Sequence, residues 1–369
     1  IVLAAGKGSR MKTSKPKVFH EVGNYPMLFH ILDTSSKLKN SSINIVINKF
    51  LEDYQNVIRE KYNNISFSIQ KKQNGTADAV QSAFKAGTEN NSKITLVLCG
   101  DTPLISVKTI KDCLKKFEKK SLDLCVISME PENKINSYGK LKFRKNQLVG
   151  IIEKSEIKNQ ESRNEKFDLC NSGIILFKTE SLLENLSDVR NINKKKEFFL
   201  TDLVDIFYQK KLLIDHFICD FRETLGVNSL NDLARVNKEF QKKRRNYFLS
   251  KGVVMEEPES VFFSYDTVIG KNVEIEPNVY FGKSVHLRDK VLVKSFSYLD
   301  NVKVHENVTI GPFARIRDGV EIKDHSKIGN FVEIKKSKVD KNVKISHLSY
   351  IGDSTINSNS CYFWVSTLK

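Results

Sequence analysis

Two glycines and two cations near the start of the chain are the residues best placed for chemistry. Leu3-Ala4-Ala5-Gly6-Lys7-Gly8-Ser9-Arg10-Met11 is followed closely by Pro16-Lys17. At Gly6 and Gly8 the backbone can approach phosphate oxygens, offering its N–H groups as donors. Arg10 and Lys17 bring charge that neutralises a triphosphate. A bare Gly-x-Gly would fit an ordinary strand-to-helix turn with solvated basic residues. The longer string with its Pro-Lys points to a phosphate cradle.

Such a cradle needs a frame. Residues 1–227 alternate short β-rich runs with helical patterns. Ile1-Val2-Leu3-Ala4-Ala5 reads as a buried strand running into the glycine loop. Asn44-Ile45-Val46-Ile47 and Thr95-Leu96-Val97-Leu98 read as similar strands, and residues 76–85 and 107–117 as helices. The alternation predicts an α/β domain with a mostly parallel sheet covered on both faces. Ligands in such sheets sit at the carboxyl ends of strands, which directs attention to the loops after Ala5 and Leu98. Residues 228–252 predict a linker with a helix over 229–250. Ser229 and Asp232 resemble a capping box, Leu230, Leu233, Val236 and Phe240 form an apolar stripe, and Gly252 is a stop.

Beyond about residue 262 the rhythm becomes six. Apolar residues recur at Ile269, Ile275, Phe281, Leu287, Val293 and Leu299, then after a one-residue slip at Val304, Ile310, Ile316, Ile322, Ile328 and Ile334. A second slip leads to Val339, Ile345 and Ile351. Val273, Val279, Val285, Val291, Val308, Ala314, Val320 and Val332 stand four places after a marker. This hexapeptide pattern predicts a β-helix over 253–356, three hexads to a coil, with the markers stacked inward.

The 369 residues suggest two domains, and 40% hydrophobic content suffices for sizeable cores. No run approaches the roughly 18–20 apolar residues of a membrane helix, and no leader pattern precedes the first strand, so membrane insertion is not expected and a cytoplasmic protein is. Ile1 already lies within a strand and is not Met, so residues are expected to precede it. The six cysteines are scattered without a CxxC pair, which suggests buried free thiols rather than zinc or disulfides. The net charge of +16 raises nucleic acid as a partner. However, the lysines are spread along the chain, and Lys242-Lys243-Arg244-Arg245 lies in a helical pattern without interleaved aromatics. No nucleic-acid partner is expected, although a positive field would draw in phosphorylated substrates.

The segment from Leu3 to Lys17 resembles the signature of sugar-1-phosphate nucleotidyltransferases. Gln70 and Gly75-Thr76-Ala77 resemble the base-recognition segment of the uridylyltransferases, where a Gln amide with donor and acceptor suits the imide edge of uracil. Leu98-Cys99-Gly100-Asp101 offers the strand-end carboxylate expected for Mg²⁺, a hard cation that takes oxygen ligands. Tyr138-Gly139, Glu153, Asn171-Ser172-Gly173, Phe199-Leu200-Thr201-Asp202 and Gly226-Val227-Asn228 follow in order. With the hexapeptide half, the chain resembles the bacterial bifunctional N-acetylglucosamine-1-phosphate uridylyltransferase/glucosamine-1-phosphate acetyltransferases, from Ile1 to about Ile356. The resemblance implies a Rossmann-like nucleotidyltransferase domain followed by a left-handed parallel β-helix. It also implies uridylyl transfer from UTP to N-acetylglucosamine-1-phosphate, giving UDP-N-acetylglucosamine and pyrophosphate. Leu3, Ala4, Ala5, Gly6 and Lys17, with Cys99 and Gly100 alongside, would hold the nucleotide, and Gln70, Gly75 and Thr76 would read uracil. Asp101 and Asn228 would bind Mg²⁺. Gly139, Glu153, Asn171 and Asn228 would hold the sugar, and Arg10 and Lys17 would be catalytic. Asp101 and Glu153 taken singly would more often be surface ion-pair members. Three positions depart from the family's usual residues: Cys99 where Tyr is frequent, Asp78 where His is usual, and Ser172 for Thr. The alternatives are a nucleotidyltransferase for another sugar or base, and a non-catalytic regulator.

The hexapeptide half carries Gly311-Pro312-Phe313-Ala314-Arg315-Ile316-Arg317, Gly329-Asn330-Phe331-Val332-Glu333-Ile334-Lys335-Lys336 and His347-Leu348-Ser349-Tyr350-Ile351-Gly352-Asp353. These resemble the family's acetyltransferase site. Arg317 and Lys335 would bind a sugar phosphate, His347 would be the ancestral base and Tyr350 would touch the sugar. Each could instead be an outward-facing coil residue. After Ile356 the hexad rhythm fails, and residues 357–369 read as an aberrant tail. The expectation is that the coils binding acetyl-CoA are absent, that acetyl transfer is lost, and that the family's homotrimer is weakened.

Overall fold

The computed structural model describes residues 1–85, 92–132, 138–154, 156 and 168–362. The chain divides into two compact units. The first comprises Ile1–His20 and Pro26–Val236, and the second Glu21–Tyr25 with the chain from Asn237 onward.

The first unit is built on β1 (Val2–Leu3), β2 (Ile43–Ile47), β3 (Ile65–Ile69), β4 (Ile94–Cys99), β5 (Leu124–Met129), β6 (Lys140–Arg144), β7 (Gln147–Ile152), β8 (Cys170–Lys178) and β9 (Ile214–Cys219). The sheet order is β9-β5-β8-β4-β1-β2-β3, with the β6–β7 hairpin attached through β6 to β8. β1 pairs in parallel with β2 and β4, in the register Val2↔Ile45 and Val2↔Leu98. The sheet is mostly parallel, as expected, with one reversal: β8 runs antiparallel to both β4 and β5. A continuous apolar run such as Gly173-Ile174-Ile175-Leu176-Phe177 reads identically in either direction, so the sequence pattern does not reveal this reversal. Leu124, Val126, Ile175, Phe177, Leu203 and Phe207 are buried together in its core.

Helices α1 (Met27–Ser35), α2 (Gln55–Lys61), α3 (Thr76–Lys85) and α4 (Val107–Lys119) alternate with β1 to β5, and α5 (Thr179–Asn185) and α6 (Asp202–Gln209) lie together between β8 and β9. α4 starts at Ser106, whose hydroxyl accepts from the Thr109 N–H, a side-chain cap of an otherwise orphaned donor. Helix α7 (Leu230–Ser250) opens on the expected capping box: the Asp232 N–H donates to Ser229 Oγ, and the Ser229 N–H to Asp232 Oδ2. Of its expected apolar stripe, Val236 and Phe240 are buried and Leu233 is half-buried, but Leu230 is exposed. Among the described residues no helix is long and apolar enough to cross a membrane.

The second unit is a parallel β-helix of three ladders. In one ladder Val293 pairs with Ile310, Ile310 with Ile328, and Ile328 with Ile345. Like residues thus stack on like. The spacing alternates between 17 and 18 because a coil containing a slip is one residue shorter. The markers Ile275, Phe281, Leu287, Val293, Leu299, Val304, Ile310, Ile316, Ile322, Ile328, Ile334, Val339 and Ile345 are all buried, as are the smaller residues from Val273 to Val332. Ile269 and Ile351 are only partly buried. Each such side chain contributes roughly 1.5–3 kcal/mol on burial. Turns recur with one residue in the left-handed region, including Asn272, Asn278, Asn301, Asn307 and Asn342. Asn tolerates that region better than most residues. Aromatic rings also stack along the axis: Phe296 on Phe313 and Phe313 on Phe331, both at 5.0 Å.

Strand pairing does not stop at Ile356: Cys361–Tyr362 pairs with the strand Lys344–His347, in the register Lys344↔Cys361. Backbone pairing makes no demand for an aliphatic marker there, and Tyr362 is largely exposed. The rest of the expected tail, 363–369, lies outside the described residues. Nor are all thiols buried: Cys361 is exposed, and Cys99 and Cys219 are intermediate. The basic run in α7 is partly committed to structure, since Arg244 donates to the Thr267 carbonyl and the buried Arg245 to that of Val261.

Candidate active site

The glycine loop leaves β1 and is fixed before it reaches its charged residues. The Ala4 N–H donates to the Val46 carbonyl, and the Asn48 side chain donates to the Ala5 carbonyl at 2.9 Å. Asn48 is buried, and its Oδ1 also caps the turn at Leu51. Sequence reading passed over it; the signal was a polar residue directly after the all-apolar end of β2. A Cβ at Gly6 would meet nothing within 4 Å, so the backbone there is open to an approaching group. Gly8 has φ 63°, and a Cβ there would come within 2.7 Å of Lys17 Cβ. That glycine therefore sets both the turn and the approach of Lys17.

Four of the expected residues converge. Lys17 Nζ donates to Asp101 Oδ2 and, at 3.0 Å, to Asn228 Oδ1. Arg10 donates to the same Asn228 Oδ1 at 2.8 Å. Asp101 stands just past β4, and its carbonyl accepts from the Val227 N–H, which brings the 226–228 segment to the strand end. Two cations thus meet on two acceptor oxygens, with Asn228 Oδ1 common to both. Beside them, Gly100 donates its N–H to the Leu3 carbonyl, and a Cβ there would be 3.1 Å from that oxygen. The Cys99 thiol points to the Gly173 carbonyl; burial and the Asp101 charge push it up to about 12, against the pull of Lys17, so it stays protonated. Among the described residues no three His, Cys, Asp or Glu side chains gather to hold a metal on their own.

A second group lies between β3 and α3. Gly75 adopts φ 120°, and a Cβ there would sit 2.3 Å from the Phe198 carbonyl oxygen, so no other residue fits without movement. Thr76 Oγ1 accepts from the Leu200 N–H. Gln70 is buried, and its Nε2 donates to the Gly75 carbonyl at 2.9 Å and to Asp78 Oδ2 at 2.7 Å. The amide's donors are therefore already engaged, contrary to the expectation of a free donor–acceptor pair.

A third group joins β6, β7 and β8. The Asn171 N–H donates to the Gly139 carbonyl, and a Cβ at Gly139 would lie 3.4 Å from Glu153. Asn171 Oδ1 accepts from the Gly173 N–H. Glu153 accepts from Thr201 Oγ1 at 3.0 Å; burial pushes its carboxyl up and that hydrogen bond draws it back. Next to Thr201, Asp202 is pushed up to about 6, mainly by burial and then by the charges of Glu156, Glu153 and Asp205.

In the β-helix, Arg317 pairs across the ladder with Lys335, and Lys335 with Gly352, while Tyr350 pairs with Glu333. The Arg317 guanidinium is held by Glu333 at 2.8 Å and Asp318 at 2.7 Å. His347 pairs with Asn330 on a different ladder and is exposed, as is Tyr350.

The nucleotidyl transferase family model matches residues 1–225, and the bacterial transferase hexapeptide model matches residues 301–336. The chain is 34% identical over 363 residues to the bifunctional protein GlmU of Bartonella quintana, covering 98% of this chain and 79% of that one. It is 36% identical to its namesake from Zymomonas mobilis, with the same coverage, and 35% identical to that of Wolbachia pipientis, covering 98% and 81%. Among solved structures, a putative glucose-1-phosphate thymidylyltransferase from Bacillus anthracis matches with a TM-score of 0.52 at 18% identity, covering 64% of this chain and 92% of that one; at that identity it speaks to the fold alone. With relatives this similar along nearly its whole length, the chain belongs to the GlmU family of bifunctional proteins, as a transferase whose nucleotidyltransferase half precedes a hexapeptide-repeat half.

Proposed function

We propose that the first unit transfers a uridylyl group from UTP to N-acetylglucosamine-1-phosphate, releasing pyrophosphate and UDP-N-acetylglucosamine. The observation that carries this reading is the meeting of Arg10 and Lys17 with Asp101 and Asn228 beside the open backbone at Gly6. The nucleophile is a phosphate monoester, whose second pKa is about 6, so it is ionised at neutral pH and needs no general base. It attacks the α-phosphorus in line, the bond from that phosphorus to the bridging oxygen breaks, and pyrophosphate departs with the electron pair. The protein's work is alignment and charge neutralisation. Arg10 and Lys17 provide charge, Leu3 to Gly6 provide backbone, Gln70, Gly75 and Thr76 face the base, and Gly139, Glu153 and Asn171 face the sugar.

Mg²⁺ fits this site. Two oxygen donors, Asp101 Oδ2 and Asn228 Oδ1, already converge on one cationic group, the Lys17 ammonium, and oxygen is what a hard cation takes. Asp101 and Asn228 would hold the ion, which supplies positive charge against the phosphate oxygens. A pyrophosphate-release assay across UTP, TTP, CTP and GTP with several sugar phosphates tests the reading. UTP with N-acetylglucosamine-1-phosphate is expected to lead, and preference for another pair would overturn it.

The opposition of Arg317 and Lys335 on neighbouring coils supports a sugar-phosphate site in the second unit as well, with His347 as base and Tyr350 against the sugar. Acetylation of glucosamine-1-phosphate by acetyl-CoA is the direct assay for it. The exposed stack of Phe296, Phe313 and Phe331 supports self-association of the β-helix as a homotrimer, since exposed apolar patches mark interaction surfaces. Sedimentation at three times the chain mass is the expected result.

A further inference from the structure

Gln70 is an ambidextrous reader in principle: rotating its amide by half a turn exchanges an acceptor for a donor. Uracil and cytosine differ in this respect. Uracil presents N3–H, a donor, and cytosine presents N3, an acceptor. A Gln free to turn would serve both bases.

Here the amide is not free to turn. Its two neighbours are the Gly75 carbonyl at 2.9 Å and the Asp78 carboxylate at 2.7 Å, and both are acceptors without a proton to give. Only the NH₂ end can face them, and its two N–H groups match two acceptors. Turning the amide would place its oxygen against two other oxygens. The remaining group is the amide oxygen, which accepts no hydrogen bond among the described residues and is not among the buried orphaned atoms.

We propose that Asp78 is a positioning residue for base selection, holding the Gln70 amide so that it presents only an acceptor and so favours uracil over cytosine. The inference rests on the uridylyltransferase reading above. Asp78 does not touch the base in this account; it acts through Gln70. The backbone acceptor at Gly75 is fixed by the φ of 120° that only glycine holds there, so the side chain of Asp78 is the variable half of the clamp. Asp78 also lies in the first turn of α3, where a negative charge stabilises any helix. A purely structural role would therefore alter stability and leave base preference alone.

The test is titration calorimetry of the whole chain with UTP and with CTP, paired with kcat/KM for each nucleotide. The wild type is expected to prefer UTP. Asp78→Ala is expected to lower the UTP-to-CTP ratio about tenfold, the worth of one charge-assisted hydrogen bond holding one orientation. Asp78→Asn brings N–H groups that can face a turned amide and is expected to lower the ratio as well. A UTP-selective wild type whose folded Asp78→Ala variant keeps its ratio overturns this inference alone. Should Asp78→Ala not fold, an unchanged UTP-to-CTP ratio in folded Asp78→Asn overturns it. A wild type binding CTP as tightly as UTP overturns both this inference and the uridylyl reading.

Discussion

Lys17 is held by two acceptor oxygens that the reaction would also use, so its side chain is both structural and reactive. Asp101 and Asn228 pin the ammonium where a triphosphate would need charge. Lys17→Ala is expected to lower kcat by about 10²–10³-fold, the usual loss for one preorganised donor on a developing charge, with the fold retained. Steady-state kinetics beside a thermal melt checks this, and near-normal turnover would remove Lys17 from the mechanism. Asp202 offers a different readout. Its folded pKa of about 6 lies above the ordinary carboxylate value, so between the two the folded state binds more protons than the unfolded. Stability then falls as pH rises through that window. Asp202→Asn is expected to raise stability at pH 7.5, by about 1 kcal/mol once solvent screening is allowed for, and to bring no gain near pH 4. Denaturant midpoints at the two pH values test this. At this scale the ordered motifs named the charged residues of the site, but not Asn48 or the engagement of the Gln70 donors. Those depend on partners 43 and 8 residues away, which spacing alone does not reveal.

Among the elements, β3 and α3 are joined by a turn that tolerates no side chain at Gly75. A Cβ would fall within 2.3 Å of a backbone oxygen, and the φ of 120° is foreign to L residues. Gly75→Ala is therefore expected to cost about 2 kcal/mol or more. It should also weaken UTP binding, because Phe198 must shift. Chemical denaturation and nucleotide titration on one preparation would show both losses together; an unaffected midpoint would contradict the account. Helices α3, α4 and α7 were legible because the sequence states a cap or an apolar repeat locally, as at Ser106 and Ser229, whereas α1, α2, α5 and α6 have no such side-chain cap and were not read. The direction of β8 was not, because strand polarity is decided by partners distant in sequence. Leu230 shows the same limit: its spacing fits the stripe, yet the first turn of α7 leaves it exposed.

For the whole molecule, the two units differ in how far apart in sequence their contacts are made. The first unit needs β1 beside β4, pairing Val2 with Leu98, and β8 inserted between β4 and β5. From Val268 the second pairs each strand with one only 17 or 18 residues onward, a regularity that the six-residue rhythm and its slips already stated in the sequence. The second unit therefore needs little loop closure for each new coil, and every coil supports only its neighbours. It should behave as a one-dimensional chain of coupled links rather than as a single all-or-none block. Phe281→Ala, which empties one buried layer, is expected to speed amide hydrogen exchange most in the coils touching residue 281 and progressively less with each coil away from it. Uniform acceleration across the unit would show one cooperative block instead. A ladder of this kind can loosen locally while its remaining links stay closed.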